Sequence, residues 1–592
     1  HATNLEYREL ERWRRALLNP ECTFEDLLKI SAESPAMIIY LDTVNSRASG
    51  DNIPNKNYAR ELLELFTFGV DNGYDQYDIV ETAKIWTGWS VRLVDATNEF
   101  NPLAPQSTTL KPGITVHDSR SPELYEGIWA FTYNPGNHAS GEKVIFPGKT
   151  VPARFGSPYA GRNYELRIPP AGRTGTEWQY VTVTGSASSS TLYIYMTGSG
   201  DCYIDDLKLV PGSVPEAGPN AIQNGDFDIN FSGWTLAPIV RTSAISTDIK
   251  RSGNGALHLV STGAGSSSGT AIRRTDLNLT QNQVYTLSFW YRPGSSMNGD
   301  LVIRLSGSGI VGSPGAVDGI HEGYKVIKHL ADQPFTQEFI SVKLCRLFVH
   351  DDFRTGYDFT DPNLSPEGQL VRACMQAWEN GSPKGQIRKV LQVIFDSELF
   401  RSQAASAQKV KTPFEFTVSA IRALRGRAAD GTYTADSSGF GMYSPMDRMG
   451  RMRLFDREEP DGYPEGGPSW ISAGTLTERL RYVQALLARG GGGNAGTGNA
   501  ADPVKLLKDR LPSSAWNNAE AVADFFIGLI YPGEGKANLA QYREEAIRYL
   551  NTADNGTTTS GFASLGNLSN TYLDRVRGMV AMLMTFPRFQ EQ

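Results

Sequence analysis

The hydrophobic period of this chain changes three times along its length, which excludes any single uniform architecture. From Tyr7 to Trp89 apolar residues return every three or four positions, through Leu27, Ile30, Met37, Ile38 and Tyr40, the spacing of amphipathic helices. Residues 57–68 continue it. Gly69 is placed to cap that helix, Gly73 to turn the chain, and Asp75 with Asp78 to open a second helix that Gly88 closes. Between 101 and 170 no period holds, and Pro, Gly and Thr dominate. The period is then two in 178–183, 191–196, 202–210, 256–260, 284–292 and 301–305, with Gly, Ser and Asn turns between, which predicts half-buried antiparallel strands. Helical spacing resumes at Gly323 and holds to the end, with Thr412-Pro413-Phe414-Glu415 as a capping box. Residues 489–503, with Gly490 to Gly493 in a row, predict a flexible loop.

The expected fold class is therefore multidomain α plus β. A mainly α-helical body occupies 1–100, with a loop-rich extension over 101–170, and returns over 313–592; an antiparallel β-sandwich over 171–312 interrupts it. A chain of 592 residues has room for two or three cores. With 40% hydrophobic and 20% charged residues it has the means to fill them, so a disordered chain is excluded. A net charge of -7 and the lack of a basic stripe interleaved with aromatics argue against a nucleic-acid binder. No apolar stretch approaches the ~20 residues that span a bilayer, so no membrane span is predicted. The chain opens at His1, inside a helical pattern and without an initiator Met, and is expected to be processed or truncated. Cys22, Cys202, Cys345 and Cys374 show no CxxC spacing, leaving either two disulfides or four buried thiols.

Several segments carry a family likeness. Asn55-Lys56-Asn57-Tyr58-Ala59-Arg60-Glu61-Leu62-Leu63-Glu64-Leu65-Phe66, then Gly73-Tyr74, Asp78-Ile79-Val80 and Trp86-Thr87-Gly88-Trp89, resemble the signature of the domain of unknown function 1800 family. The loop from His138 to Lys143, and a helix pair carrying His329 and Phe339-Ile340-Ser341-Val342-Lys343-Leu344, resemble its later motifs. The resemblance implies an exported bacterial protein, secreted, periplasmic or at the cell surface, with a sulfatase-like protein as partner. In the β segment, Asn224-Gly225-Asp226-Phe227-Asp228, Ser232-Gly233-Trp234 and Ser252-Gly253-Asn254-Gly255 resemble the opening of a carbohydrate-binding module of family 4 and 9 type. Tyr203-Ile204-Asp205-Asp206-Leu207-Lys208-Leu209 resembles its closing strand. That likeness implies a jelly-roll, galactose-binding-like sandwich. Because closing precedes opening, it is either one circularly permuted sandwich or remnants of two modules.

The chemistry expected of these segments follows from residue type. In modules of that kind a structural calcium ties first strand to last, and Asp206 and Asp228 stand at the matching positions, against the plainer reading of turn aspartates. Sugars stack on aromatic faces with polar groups beside them. Tyr285, Leu287, Phe289 and Tyr291 share one face of their strand and leave Trp290 and Arg292 on the other, while Tyr193 and Tyr195 oppose Leu192, Ile194 and Met196. If the outer faces form one surface, Tyr193, Tyr195, Trp290 and Arg292 make a glycan platform; aromatic core packing is the alternative. In the body, Glu61, His138 and His329 are candidate acid/base residues, against the plainer reading of a helix surface on which Glu61 and Glu64 lie at i and i+3 and Arg60 pairs with Glu64 at i,i+4. An N-terminal His1 suggests a copper chelate, which the fold reading does not support. No organic cofactor is expected. The function expected is an exported or cell-surface glycan-associated binding or assembly component; the alternative is an enzyme acting on extracellular polysaccharide with the sandwich as targeting module.

Overall fold

The computed structural model describes residues 2–48, 53–104, 106–112, 124–139, 141–168, 177–212, 214–402, 409–437, 439–453, 456–457, 459–488, 499–535 and 537–591. His1 and most of the predicted Gly-rich loop lie outside them. The chain divides into two compact units: 1–340 with 357–362 and 375–390, and 341–356 with 363–374 and 391–592. Mixed helix and antiparallel sheet is the class observed.

The first unit begins with helices α1 (Ala2–Leu18), α2 (Phe24–Ala32), α3 (Pro35–Tyr40), α4 (Asn57–Glu61) and α5 (Gln76–Ile85). Their starts are set by side chains that satisfy free N–H groups. Thr23 with Asp26, and Asp75 with Asp78, are capping boxes on α2 and α5, and Ser34 caps α3. The helix expected over 57–68 instead passes into a π-helical turn, Leu62–Thr67, after α4, where Thr67 Oγ1 donates to Leu62 O at 2.6 Å. Gly69 ends it at φ +90°, a conformation strained for any residue with a Cβ.

Strand β1 (Trp89–Val94) pairs antiparallel with β2 (Ile128–Tyr133), and β3 (Lys143–Ile145) with β4 (Leu166–Ile168), so the segment without a period does hold short strands. The sandwich strands follow: β5 (Gln179–Ser186), β6 (Leu192–Met196), β7 (Gly200–Pro211), β8 (Thr235–Leu236), β9 (Ala244–Ser246), β10 (Ala256–Ser261), β11 (Ile272–Arg274), β12 (Val284–Pro293), β13 (Leu301–Leu305) and β14 (Val311–Gly312). One sheet runs β5-β12-β7-β10-β9 and the other β14-β13-β6-β11-β8. Both contribute alternate residues to one core, Leu287, Phe289 and Tyr291 from the first against Leu192, Ile194 and Leu301 from the second. The two segments that resemble opposite ends of a module lie side by side: Leu207 N donates to Gly225 O at 2.9 Å and Ala221 N to Leu209 O at 2.8 Å.

Helix α6 (Pro314–Ala331) starts nine residues before the predicted resumption of helix at Gly323. Gly319 and Gly323 hide its period, and packing explains both. A Cβ at Gly323 would stand 2.5 Å from Trp89 Cζ2 and 2.9 Å from Trp86 Cζ3; one at Gly319 would meet the Tyr133 ring and His138 Cε1. The Trp86-Thr87-Gly88-Trp89 motif therefore seats against a small-residue face of α6. Gly323→Ala gains about 1 kcal/mol of helix propensity and loses about 1–3 to overpacking, so a lower denaturation midpoint is expected on urea titration.

The second unit is helical around a core that includes Leu424, Phe526, Leu550, Tyr572 and Leu583. The Thr412 capping box is present, with Glu415 as its partner. Asn499–Ala501, expected in the flexible loop, is a strand paired with Ala435–Ser437, and the helix Pro503–Arg510 begins two residues later. All four cysteines are buried free thiols.

Candidate functional site

Alternation on β12 buries Tyr285, Leu287, Phe289 and Tyr291 and leaves Trp290 and Arg292 half-buried on the outside of the first sheet. Strand pairing then adds residues that sequence reasoning missed. Tyr180 on β5 stands opposite Trp290, with ring centroids 5.1 Å apart. Tyr203 on β7 stands opposite Arg292 and stacks on His258 of β10 at 4.4 Å. Arg251 places its guanidinium 3.7 Å over the Trp290 ring. His258 Nε2 meets Asp201 at 2.9 Å. Tyr193 and Tyr195 belong to β6, in the other sheet, and face away on the far side of the core. Tyr195 is 7% exposed in a small cluster with Ala271 and Val302, and Arg304 lies 5.8 Å from each tyrosine ring. The four-residue platform is thus divided between two opposite surfaces, because alternation tells which face of a strand is outside but not which sheet the strand joins.

Asp206 and Asp228 do converge on one loop, 251–255. Asp206 Oδ2 accepts from Arg251 Nη1 and Ser252 Oγ, both at 2.9 Å, and Asp228 Oδ1 from the amides of Asn254 and Gly255. Asp205, beside Asp206 in the closing-strand motif, takes the Arg251 and Ser252 amides at 2.8 and 3.1 Å, and burial pushes its carboxyl up. A hard cation needs several oxygens around it. Here the carboxylates meet N–H and O–H donors and a guanidinium that already supplies positive charge, so these residues, as arranged, do not fit calcium. Among the described residues no group of three or more His, Cys, Asp or Glu side chains could hold a metal.

In the helical part of the first unit, the motifs meet at α6. His138 Nδ1–H donates to Thr87 O at 2.9 Å, which fixes that proton. The other ring nitrogen lies 3.0 Å from Glu322 Oε2 and 3.3 Å from Lys143 Nζ, and Lys143 donates to the same Glu322 oxygen at 2.6 Å. Neutral His138 accepts from Lys143; protonated, it donates to Glu322. The three side chains are 4%, 1% and 4% exposed. Burial pulls the Lys143 ammonium down, and Glu322 opposes that. Glu322 Oε1 is buried with no hydrogen-bond partner among the described residues. His329 is two turns further along α6: it donates to Tyr164 O at 2.8 Å, stacks near Phe146, and its basicity falls through desolvation. Glu61 is half-buried at the end of α4. The described partners of His138 are Thr87, Tyr133, Lys143 and Glu322, those of His329 Tyr164, Gln333 and Phe146. Of the expected residues Glu61, His138 and His329, His138 stands in an interlocked group with Lys143 and Glu322.

The segments that lock together here are those of one family. A family model described as Protein of unknown function (DUF1800) matches residues 10–167 and 259–591. The chain belongs to the DUF1800 family. In this DUF1800 chain the unmatched residues 168–258 lie within or beside the sandwich, and the second match begins on β10. No curated protein and no solved structure matches the chain. Glu322 carried no sequence signal beyond an acidic residue between two glycines of a helix.

Proposed function

We propose that this DUF1800 chain is an exported or cell-surface glycan-binding component whose sugar-reading surface is the outer face of the β5-β12-β7-β10-β9 sheet. One observation carries the reading: Trp290, Tyr180, Tyr203 and His258 share that face with Arg251 and Arg292. Aromatic rings offer stacking surface for the apolar face of a pyranose, and the two arginines offer donors for its hydroxyl groups. The likeness of the sandwich to a carbohydrate-binding module supports the same assignment, and so does the charge, which favours no nucleic acid. No helix among the described residues is long and apolar enough to cross a membrane. The implied sulfatase-like protein is a candidate partner, to be sought by co-purification from the native source.

A broad glycan array probed with the full chain tests the assignment, with and without a calcium chelator. Trp290→Ala is expected to weaken binding about 5- to 150-fold, the loss of one stacked ring at about 1–3 kcal/mol by analogy with base stacking. Tyr193→Ala is expected to leave it unchanged. Chelator is expected to have no effect; a chelator-sensitive signal would mean that loop 251–255 rearranges so that Asp205, Asp206 and Asp228 gather on a cation. Absence of binding to every glycan would leave the sandwich without a sugar-reading role.

A further inference from the structure

Strand pairing sets the outer face of the β5-β12-β7-β10-β9 sheet in rows. Arg292 on β12, Tyr203 on β7 and His258 on β10 stand in one row across three neighbouring strands, and Tyr180 and Trp290 stand in the next. Adjacent strands lie about 4.8 Å apart, and successive outward residues of one strand about 6.5 Å apart. Trp290 and Arg292 are therefore one outward step apart on β12, a distance that a single substituted sugar ring spans. Both side chains are half-buried.

The cations of this face are not equally engaged. Arg251 meets Asp206 at 2.9 Å and also covers the Trp290 ring, Lys208 meets Glu216 at 2.6 Å, and His258 meets Asp201 at 2.9 Å. Asp201 gives its other oxygen to the Ser296 amide and hydroxyl, at 2.9 and 2.8 Å. Arg292 has neither an ion pair nor a hydrogen bond among the described residues. Burial and Asp201 push the Tyr203 phenol up and Arg292 opposes them, so the Arg292 charge is within electrostatic reach of that ring. A half-buried guanidinium has lost part of its hydration, and here no protein group replaces it. Its planar fork fits an oxyanion with two parallel hydrogen bonds, each about twice as strong as a bond to a neutral hydroxyl.

We propose that the sugar read by this face is anionic, with its carboxylate or sulfate ester on Arg292 and its ring against Trp290 and Tyr180. The assignment rests on the sugar-reading role of the sheet and adds to it the class of sugar. Arg292 then sets specificity: a neutral sugar offers it only hydroxyl oxygens, while an anionic one returns both the charge and the paired acceptors that the protein does not supply. Arg251 cannot substitute, because Asp206 already neutralises it. The contact lies at a partly exposed surface, so salt should weaken it.

Calorimetric titration of the full chain with two matched pairs tests this: polygalacturonate with its methyl ester, and κ-carrageenan with its desulfated form. The wild-type chain is expected to bind the anionic member of at least one pair about tenfold or more tighter than the neutral member, and less tightly at high salt. Which pair shows the preference tells carboxylate from sulfate. Arg292→Ala is expected to lower affinity for the anionic member about 10- to 150-fold and for the neutral member about 2- to 10-fold, so that the preference closes. Arg292→Lys keeps the charge without the fork and is expected to fall between wild type and Arg292→Ala, with the salt dependence retained, a graded result that a misfolded chain cannot give. Equal affinity for both members of each pair, or a preference that survives Arg292→Ala, overturns the proposal. So does a chain that binds neutral array glycans through Trp290 and neither anionic probe, and that outcome leaves the sugar-reading role standing. No binding to any glycan removes that role and this assignment together.

Discussion

Glu322→Ala is expected to release α6 and the His138 loop from each other at a cost of about 3–5 kcal/mol, the penalty of leaving one member of a buried ion pair uncompensated. Lys143 would keep an ammonium that is 1% exposed, with His138 Nε2 as its nearest remaining partner among those described. Hydrogen exchange followed by mass spectrometry reads this within one unit, without assuming that a chain of two units unfolds in one step. Amides of α6 and β3 that exchange through the opening of this contact should exchange about 10²–10³-fold faster or more, at a factor of ten per 1.4 kcal/mol. The double variant Lys143→Met with Glu322→Leu is expected to recover most of the loss. Both desolvation penalties then disappear, and only the His138 nitrogen loses its partners, at about 1–3 kcal/mol. A single variant with unchanged exchange, or a double variant as damaged as the single, would show that the pair does not hold the motifs together.

That interlock marks where sequence reading stops. The sandwich strands were legible because Tyr285, Leu287, Phe289 and Tyr291 alternate with polar neighbours over a whole strand, and the helix starts because Thr23, Asp75 and Thr412 cap them locally. Each of those signals is carried by residues within a few positions of one another. The start of α6 was not legible, because Gly319 and Gly323 are there to admit Tyr133 and Trp89, which lie more than 180 residues away in the chain. Strand Asn499–Ala501 has no period at all and exists through its pairing with Ala435–Ser437. The sites divide in the same way. Trp290 and Arg292 could be placed on an outer face, but their neighbours Tyr180, Tyr203 and His258 come from three other strands. Tyr193 and Tyr195 were assigned to the wrong company for the same reason. Glu33 at the end of α2 and Tyr324 on α6 meet through packing that no local pattern encodes.

The second unit carries a pH dependence of its own. Lys411 is expected to make this unit less stable at neutral pH than at pH 9.5. Its Nζ donates to Phe589 O at 2.8 Å and lies 4.3 Å over the Phe589 ring, while Arg479 donates to the Lys411 carbonyl at 2.6 Å. Burial first, then the charges of Arg479 and Arg588, pull the ammonium down to about 8, with Glu415 and Glu591 opposing. In the unfolded chain a lysine titrates near ~10.4. Below pH 8 both states hold the proton and the full cost of burying the charge applies. Between the two values the unfolded chain binds more protons than the folded one, so stability rises with pH across that window. A gap of about 2.5 pH units corresponds to roughly 3 kcal/mol. Lys411→Met removes the titration and also the bond to Phe589 O, worth about 1–2 kcal/mol, so a net gain of about 1–2 kcal/mol is expected at pH 7. Urea titrations of wild type and variant at pH 7.5, 8.5 and 9.5 isolate this group, because other thiols and phenols titrate in both. Their difference should shrink steadily toward pH 9.5. A difference that stays constant across the three would mean that Lys411 remains protonated in the folded unit throughout, and that its burial is compensated by Glu415 and Glu591.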